Sequence, residues 1–306
     1  MLAPNILKQS RKTRKADLEE WRIIMLEIIL HALEHGALDS LKLVPFLFLT
    51  YLAMEYLEHK TGSKTEEVVR KAGYFGPAVG SLLGALPQCG FSAAASNLYA
   101  GRVISMGTLI AIYLSTSDEM LPIMISEKVS PVLILKILGV KILIGMLAGF
   151  IIDFVMHRRK KEEHVHIHEM CEEEKCHCEK GIFHSAVSHT LHIFVFILLV
   201  SIALELVLGF VGEDALAGLL LNRPVLGPIL AGIVGLLPNC AASVVITQLY
   251  LQGAMGFGTM MAGLLVGAGV GILVLCRVNH HKKENLQIIG LLYAVGVLAG
   301  IVLELL

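Results

Sequence analysis

Charge is scarce in this chain. Asp, Glu, Lys and Arg make up 17% of its 306 residues and nearly cancel, leaving a net charge of −1. No broad field of one sign is available to hold nucleic acid or an acidic partner, so what matters is where the few charges sit. A nucleotide-binding loop is also missing, so none is present to drive transport. Cysteine is sparse and falls in two settings: Cys89, Cys240 and Cys276 in apolar segments, Cys171, Cys176 and Cys178 in a charged stretch. Neither resembles the spaced framework of a small disulfide-stapled domain. The first twenty residues are basic and polar (Lys8, Arg11, Lys12, Arg14, Lys15) and lack the apolar core and cleavage site of a secretory signal, so no cleavable leader is expected.

What is abundant is apolar. Hydrophobic residues reach 55%, with 29 glycines and a mean hydropathy of +0.72, more than a soluble core absorbs. Since a hydrocarbon layer of about 30 Å needs about 20 helical residues, the chain has room for several spans. It reads as one all-α polytopic membrane domain.

A repeat runs through it. At an offset of 151, Gly76, Pro77, Gly84, Leu86, Pro87, Cys89, Ser92, Leu98 and Tyr99 recur as Gly227, Pro228, Gly235, Leu237, Pro238, Cys240, Ser243, Leu249 and Tyr250. Downstream, Gly107 and Thr108 fall on Gly258 and Thr259, Gly149 on Gly300, and Asp153 on Glu304. Each half offers five apolar segments: 38–57, 75–86, 88–101, 103–125 and 131–156, then 184–210, 226–237, 239–252, 255–276 and 286–306. An odd number makes the second half enter from the opposite side, giving two inverted-topology repeats. The second and third segments are short. Eleven residues make about 16 Å of helix, half a hydrocarbon layer, so each half is expected to hold a broken-helix hairpin. The domains read as a basic N-terminal extension and amphipathic helix (1–37), repeat 1 (38–156), a linker (157–182) and repeat 2 (183–306).

Lys and Arg concentrate on one side, in Lys60, Lys64, Arg70, Lys71, Arg102, Arg158, Arg159, Lys160, Lys161, Arg277, Lys282 and Lys283, and that side is assigned to the cytoplasm together with the linker. The expected location is the cell inner (plasma) membrane, crossed several times.

The hairpin tips, Pro87-Gln88-Cys89 and Pro238-Asn239-Cys240, are the strongest functional signal. Proline suits the first turn of a helix, so each tip presents free N–H groups and a positive dipole end at membrane depth. Interrupted helices in matching places of two halves point to a transporter's binding site. The candidate substrate-binding residues are Gln88, Cys89, Ser92, Asn97, Thr108, Asn239, Cys240, Ser243, Gln248 and Thr259. The serines, threonines, Asn97 and Gln248 are explained equally well by hydrogen bonding between helices. Proton-coupling candidates are Asp39, His189, Glu55 and Glu205, all near span ends where a solvated group is the plain alternative. Lys136 and Lys141 lie inside the fifth segment and either snorkel or face the bundle; the second copy has Gln287 and Leu292 there, so they belong to no symmetric site.

The linker holds His164, His166, His168, Cys171, Cys176, His177 and Cys178 among glutamates. Imidazole and thiolate suit borderline and soft metals, and a His-rich tract is a compositional signal for metal binding, without zinc-finger spacing. A solvated connector is the alternative.

From Asp39 through Pro45, Thr50 and Tyr51 to Glu58 and His59, and again in the two Pro-(Gln/Asn)-Cys hairpins, the chain resembles the bacterial and archaeal family of ten-span heavy-metal exporters, whose members carry labels such as arsenic efflux protein and manganese transporter. The resemblance implies a secondary transporter exporting a metal or metalloid ion of the Mn, Zn or arsenic class, coupled to protons. The half-helix N-termini leave a second reading open, a transporter of a small inorganic or organic anion. A membrane enzyme built on Cys89 and Cys240 lacks support, because no His is near either tip in sequence. No permanently bound cofactor is expected; a metal ion is the substrate. The expected partners are the lipid bilayer and a small inorganic ion, with no nucleic acid and a homodimer as the candidate assembly.

Overall fold

The computed structural model describes residues 75–86, 89–117, 120–157, 182–211 and 225–306, with scattered helical positions between Arg22 and Gly73. The ordered elements are all helices: α1 (Gly76–Gly84), α2 (Cys89–Ala100), α3 (Met106–Ser115), α4 (Met120–Ser126), α5 (Pro131–His157), α6 (Ile182–Val211), α7 (Leu226–Gly235), α8 (Cys240–Leu251), α9 (Phe257–Val266), α10 (Gly271–Val278) and α11 (Lys282–Leu305). Five stretches are long and apolar enough to cross a membrane: Met106–Ser126, Pro131–Met156, Ala186–Ala203, Phe257–Val278 and Lys282–Leu305.

Burial sorts these five into two kinds. The stretches Met106–Ser126 and Phe257–Val278 are 75% and 83% buried, whereas those of α5, α6 and α11 are buried over only 24–28%. Val132, Leu135, Leu143 and Phe154 on α5, Leu191 and Leu199 on α6, and Leu286 and Leu298 on α11 stand exposed. So much outward apolar surface is at home in hydrocarbon and not in water. The protein is therefore a membrane protein with α3–α4 and α9–α10 at its centre and α5, α6 and α11 toward lipid.

Both central stretches are interrupted, where the sequence alone reads a single continuous segment. In the first, Thr116 leaves the helical region with φ −53° and ψ 129°. Hydroxyls of the last turn bond back to its carbonyls: Ser115 Oγ donates to Ala111 O and Ile112 O, Thr116 Oγ1 to Ile112 O, which also accepts from Thr116 N, and Ser117 Oγ to Ser115 O. In the second the break is made by backbone freedom. Gly267 has φ −67° and ψ 89°, and Gly269 takes φ +53°, which an L side chain rarely adopts.

The packing of the short helices sets their direction. A side chain at Gly76 would meet Thr108, one at Gly80 Ile112, and one at Gly84 Ser115. Thus α1 runs alongside α3 in the same direction, and its last turn lies level with the break. Because α2 leads in a few residues to the start of α3, its C-terminal end lies level with the start of α1. The second half repeats this, with Gly227 against Thr259 and Gly235 against Gly263. Between the halves α2 packs on α10, α8 on α4 and α3 on α9.

Among the described residues, an ion pair ties the halves together at the end of α2. Arg102, at φ +57°, sends Nη1 and Nη2 to Glu284 Oε1 and Oε2 at 3.1 and 3.0 Å and lies over the Tyr99 ring. Asn279 Nδ2 also donates to Glu284, and Asn279 and Asn285 bond each other. Both side chains of the pair are about 15% exposed, so solvent screens them little. Glu284→Gln should lower stability by about 1–3 kcal/mol, the range for charge-assisted hydrogen bonds, read as a lower melting temperature of the purified protein. An unchanged melting temperature would mean that the pair holds nothing together.

Candidate functional site

The two breaks face each other across the interface between the halves, and one side chain joins them. Lys141 lies ten residues, about 15 Å, into α5, the depth of half a hydrocarbon layer. It points into the bundle and is 1% exposed. Its Nζ donates to Thr116 O, at the end of α3, and to Leu264 O at 2.8 Å, in the last turn of α9. Both oxygens belong to the carbonyls that a helix C-terminus leaves without intrahelical partners. The ammonium thus sits at the negative ends of two helix dipoles, one from each half. Lys136, five residues earlier, is exposed and lies over the Phe257 ring. The equivalent of Lys141 in the second half, Leu292, is fully buried.

A second polar node lies where α2 meets α10. Ser96 Oγ is 2.7 Å from Ser92 O, 2.8 Å from Gly271 O and 2.7 Å from Tyr113 Oη. Tyr113 Oη is 3.1 Å from Gly271 O. The hydroxyls of one half thereby satisfy a carbonyl in the first turn of the other half's α10. Contact is close here because Gly271 has no side chain; a Cβ would lie 2.8 Å from Ser92 Cβ. In the second half Thr247 takes the place of Ser96 and bonds Ser243 O, and Leu264 replaces Tyr113, so the node is one-sided.

A third set lies at the other end of α3 and α9. Asp153 Oδ1 accepts from Gly107 N at 2.8 Å and Oδ2 from Ser105 Oγ at 2.6 Å, while Ser105 caps Thr108 N. In the second half Glu304 Oε2 accepts from Thr259 N at 2.8 Å. These carboxylates, 151 positions apart, cap the N-termini of the two central helices.

The sequence-based candidates distribute as follows. Cys89 and Cys240 open α2 and α8; Gln88 lies outside the described residues, and Asn239 is half-buried at the start of α8. Ser92 and Asn97 are buried, Ser243 half-buried and Gln248 exposed, so the pair Asn97 and Gln248 does not share one environment. Thr108 and Thr259 sit at the first turns of α3 and α9, the far ends from the breaks. Thr259 Oγ1 has no hydrogen-bond partner among the described residues, because Gly256 stands where Ser105 serves Thr108. His189 and Glu205 belong to α6, and Asp39 and Glu55 lie outside the described residues, as do His164, His166, His168, Cys171, Cys176, His177 and Cys178 of the linker. Among the described residues no cluster of three His, Cys, Asp or Glu side chains could hold a metal.

Sequence reading missed the breaks and the part played by Lys141, Ser96 and Tyr113. The signals were Ser115-Thr116-Ser117 and Gly267-Ala268-Gly269, two runs of polar or flexible residues at matching places inside apolar segments. Chemically, the described residues at the centre offer carbonyl oxygens, hydroxyls and the Lys141 ammonium, groups suited to a small ion.

No curated protein and no solved structure matches the chain. Residues 25–213, 156–262 and 209–306, which together span nearly all of it, match the family described as “Putative, 10TM heavy-metal exporter”, and the chain belongs to that family.

Proposed function

We propose that the protein is a secondary transporter that exports a metal or metalloid ion of the Mn, Zn or arsenic class in exchange for protons, across the cell inner membrane. The ion passes between two inverted repeats; α1–α2 and α7–α8 act as re-entrant hairpins whose tips, at Pro87-Gln88-Cys89 and Pro238-Asn239-Cys240, border its path. The linker 157–182 gathers metal on the cytoplasmic side. The observation that carries this reading is the pair of breaks at equivalent places in the two most buried membrane-length stretches. Broken backbone at membrane depth persists where it is buried in protein or lines a cavity, and such pairs form the binding sites of repeat-built transporters.

The test is transport by the full chain in liposomes, with Mn²⁺, Zn²⁺ and arsenite set against a panel of small anions. Metal flux that depends on the protein is expected; flux of anions alone would transfer the site to the second reading, which the free N–H groups at the half-helix N-termini favour. A double variant, Cys89→Ser with Cys240→Ser, then sorts the metals. Loss of activity is expected if thiolates bind a soft ion, and a fully active variant would leave a hard cation held by oxygen.

A further inference from the structure

A buried lysine that bridges two carbonyl ends is an unusual use of a charge. An ammonium inside a membrane protein is costly and is retained mostly where a pathway or proton relay needs it. The known surroundings of Nζ are also informative about sign. Thr116 O and Leu264 O lie at helix C-terminal ends, where partial negative charge collects. Such oxygens repel an anion and match a cation. The ammonium therefore stands where a metal ion with oxygen ligands would stand, and both oxygens belong to that ligand class.

The two acceptors also belong to different halves. As long as Nζ holds Thr116 O and Leu264 O together, the centres of the two halves are linked; if the halves rock against each other during transport, this link has to be broken or replaced. Lysine suits that role because, unlike arginine, it is able to give up its proton.

We propose that Lys141 is the proton carrier of the exchange, a tethered cation that holds the carbonyl site between α3 and α9 and yields it to the transported ion. This rests on the metal-export reading above. When a cation enters, one Nζ–H bond breaks, its electron pair stays on nitrogen, and the proton passes to water that enters with the ion. When the ion leaves on the far side, water there returns a proton to Nζ. The titratable groups on the packed elements are few. On α3 there is Tyr113, held by Ser96; α1, α4 and α9 carry none; α11 carries Lys282, Lys283, Glu284, Tyr293 and Glu304; α5 itself carries Lys136, Asp153 and His157. Asp118 and Glu119, which follow the first break in sequence, lie outside the described residues.

The experiment uses the full chain in liposomes with Mn²⁺ and Zn²⁺ as probes, an imposed pH gradient and a pH-sensitive dye in the lumen. Two variants are compared with the wild type. Lys141→Leu installs the residue that the other half buries at Leu292, so this fold accepts it in an equivalent place. Lys141→Gln keeps a donor for the carbonyls but cannot titrate. Both variants still carry the His-rich linker, so proton release from it cancels in the comparison. Folded variants should bind the ion and let it equilibrate, with loss of proton counterflow and of accumulation driven by the pH gradient. Either variant retaining gradient-driven accumulation would overturn the proposal. So would folded variants that bind no ion, since a competitor for the site is not needed to fill it. A wild-type protein that moves neither ion, nor arsenite in the transport test above, would instead sink the export reading itself.

Discussion

Replacing Gly149 with leucine should abolish folded protein. At this point α5 crosses α3 so closely that even a methyl group has no place: a Cβ would lie 2.6 Å from Gly107 O, 2.8 Å from Pro77 Cβ and 2.9 Å from Ala111 Cβ. Two of these neighbours are rigid, one a backbone oxygen and one a proline ring, so relief requires moving α5 off α3 or α1. Overpacking a core with extra methylenes costs about 1–3 kcal/mol when side chains can shift; here the backbone must shift, and the penalty should exceed that range. The repeat supplies a control. Gly300 occupies the same place between α11 and α9, where a Cβ would come within 2.7 Å of Gly258 O and 3.0 Å of Ala262 Cα. Gly300→Leu should fail in the same way, whereas leucine at Gly139 or Gly290, which have open space around them, should leave the yield of monodisperse protein unchanged. A well-folded Gly149→Leu protein would show that this crossing is not what holds α5.

The second large effect is expected at the caps, and it should differ between the halves. Removing Glu304 deprives Thr259 N of its acceptor, and Gly256 at the N-cap offers no side chain to replace it. A backbone N–H left without a partner inside a membrane protein costs several kcal/mol. Glu304→Ala should therefore destabilise by roughly 2–3 kcal/mol, within the range for breaking a hydrogen bond to a charged group. Asp153→Ala also loses its bond to Gly107 N, but Ser105 still caps Thr108 N at 3.1 Å, so α3 should start where it does now. Hydrogen exchange at the first amides of α3 and α9, measured in both variants, separates the cases: fraying is expected at α9 and not at α3. Equal protection in the two variants would show that Ser105 is not a cap in its own right.

These two results concern features that the amino-acid order carries openly. Gly149 and Gly300, like Asp153 and Glu304, recur at one offset because backbone approach and helix capping each tolerate few residue types. The breaks were harder to see. Ser115-Thr116-Ser117 and Gly267-Ala268-Gly269 solve the same problem by different chemistry, hydroxyls in one half and a left-handed glycine in the other, so comparing the copies hides what each does. Lys141 was harder still. Its position in an apolar segment fits snorkelling as well as burial, and only the packing of α5 on α3 turns it inward while Lys136 turns out. Its partner residue being leucine removed it from any search for symmetric pairs. Asn97 and Gln248 show the reverse error. They match by offset, yet one is buried and the other exposed, because α2 packs along α10 more fully than α8 packs on the short α4.

The left-handed turn after α2 carries a history. Arg102 at φ +57° and Gly253 at φ +73° occupy equivalent positions, so the turn that closes this helix needs positive φ in both copies. Glycine meets the need without strain; for a residue with a Cβ, such as arginine, it costs on the order of 1 kcal/mol or more. If both halves descend from one duplicated unit, the turn is the older feature and the arginine's grip on Glu284 a specialisation of one copy. A practical consequence follows for anyone probing that grip. Arg102→Gly would remove the ion pair and relieve the backbone in the same stroke, two effects of opposite sign and similar size. A stability left unchanged by that substitution would report a cancellation and not an idle contact, which is why the pair is better interrogated from the glutamate.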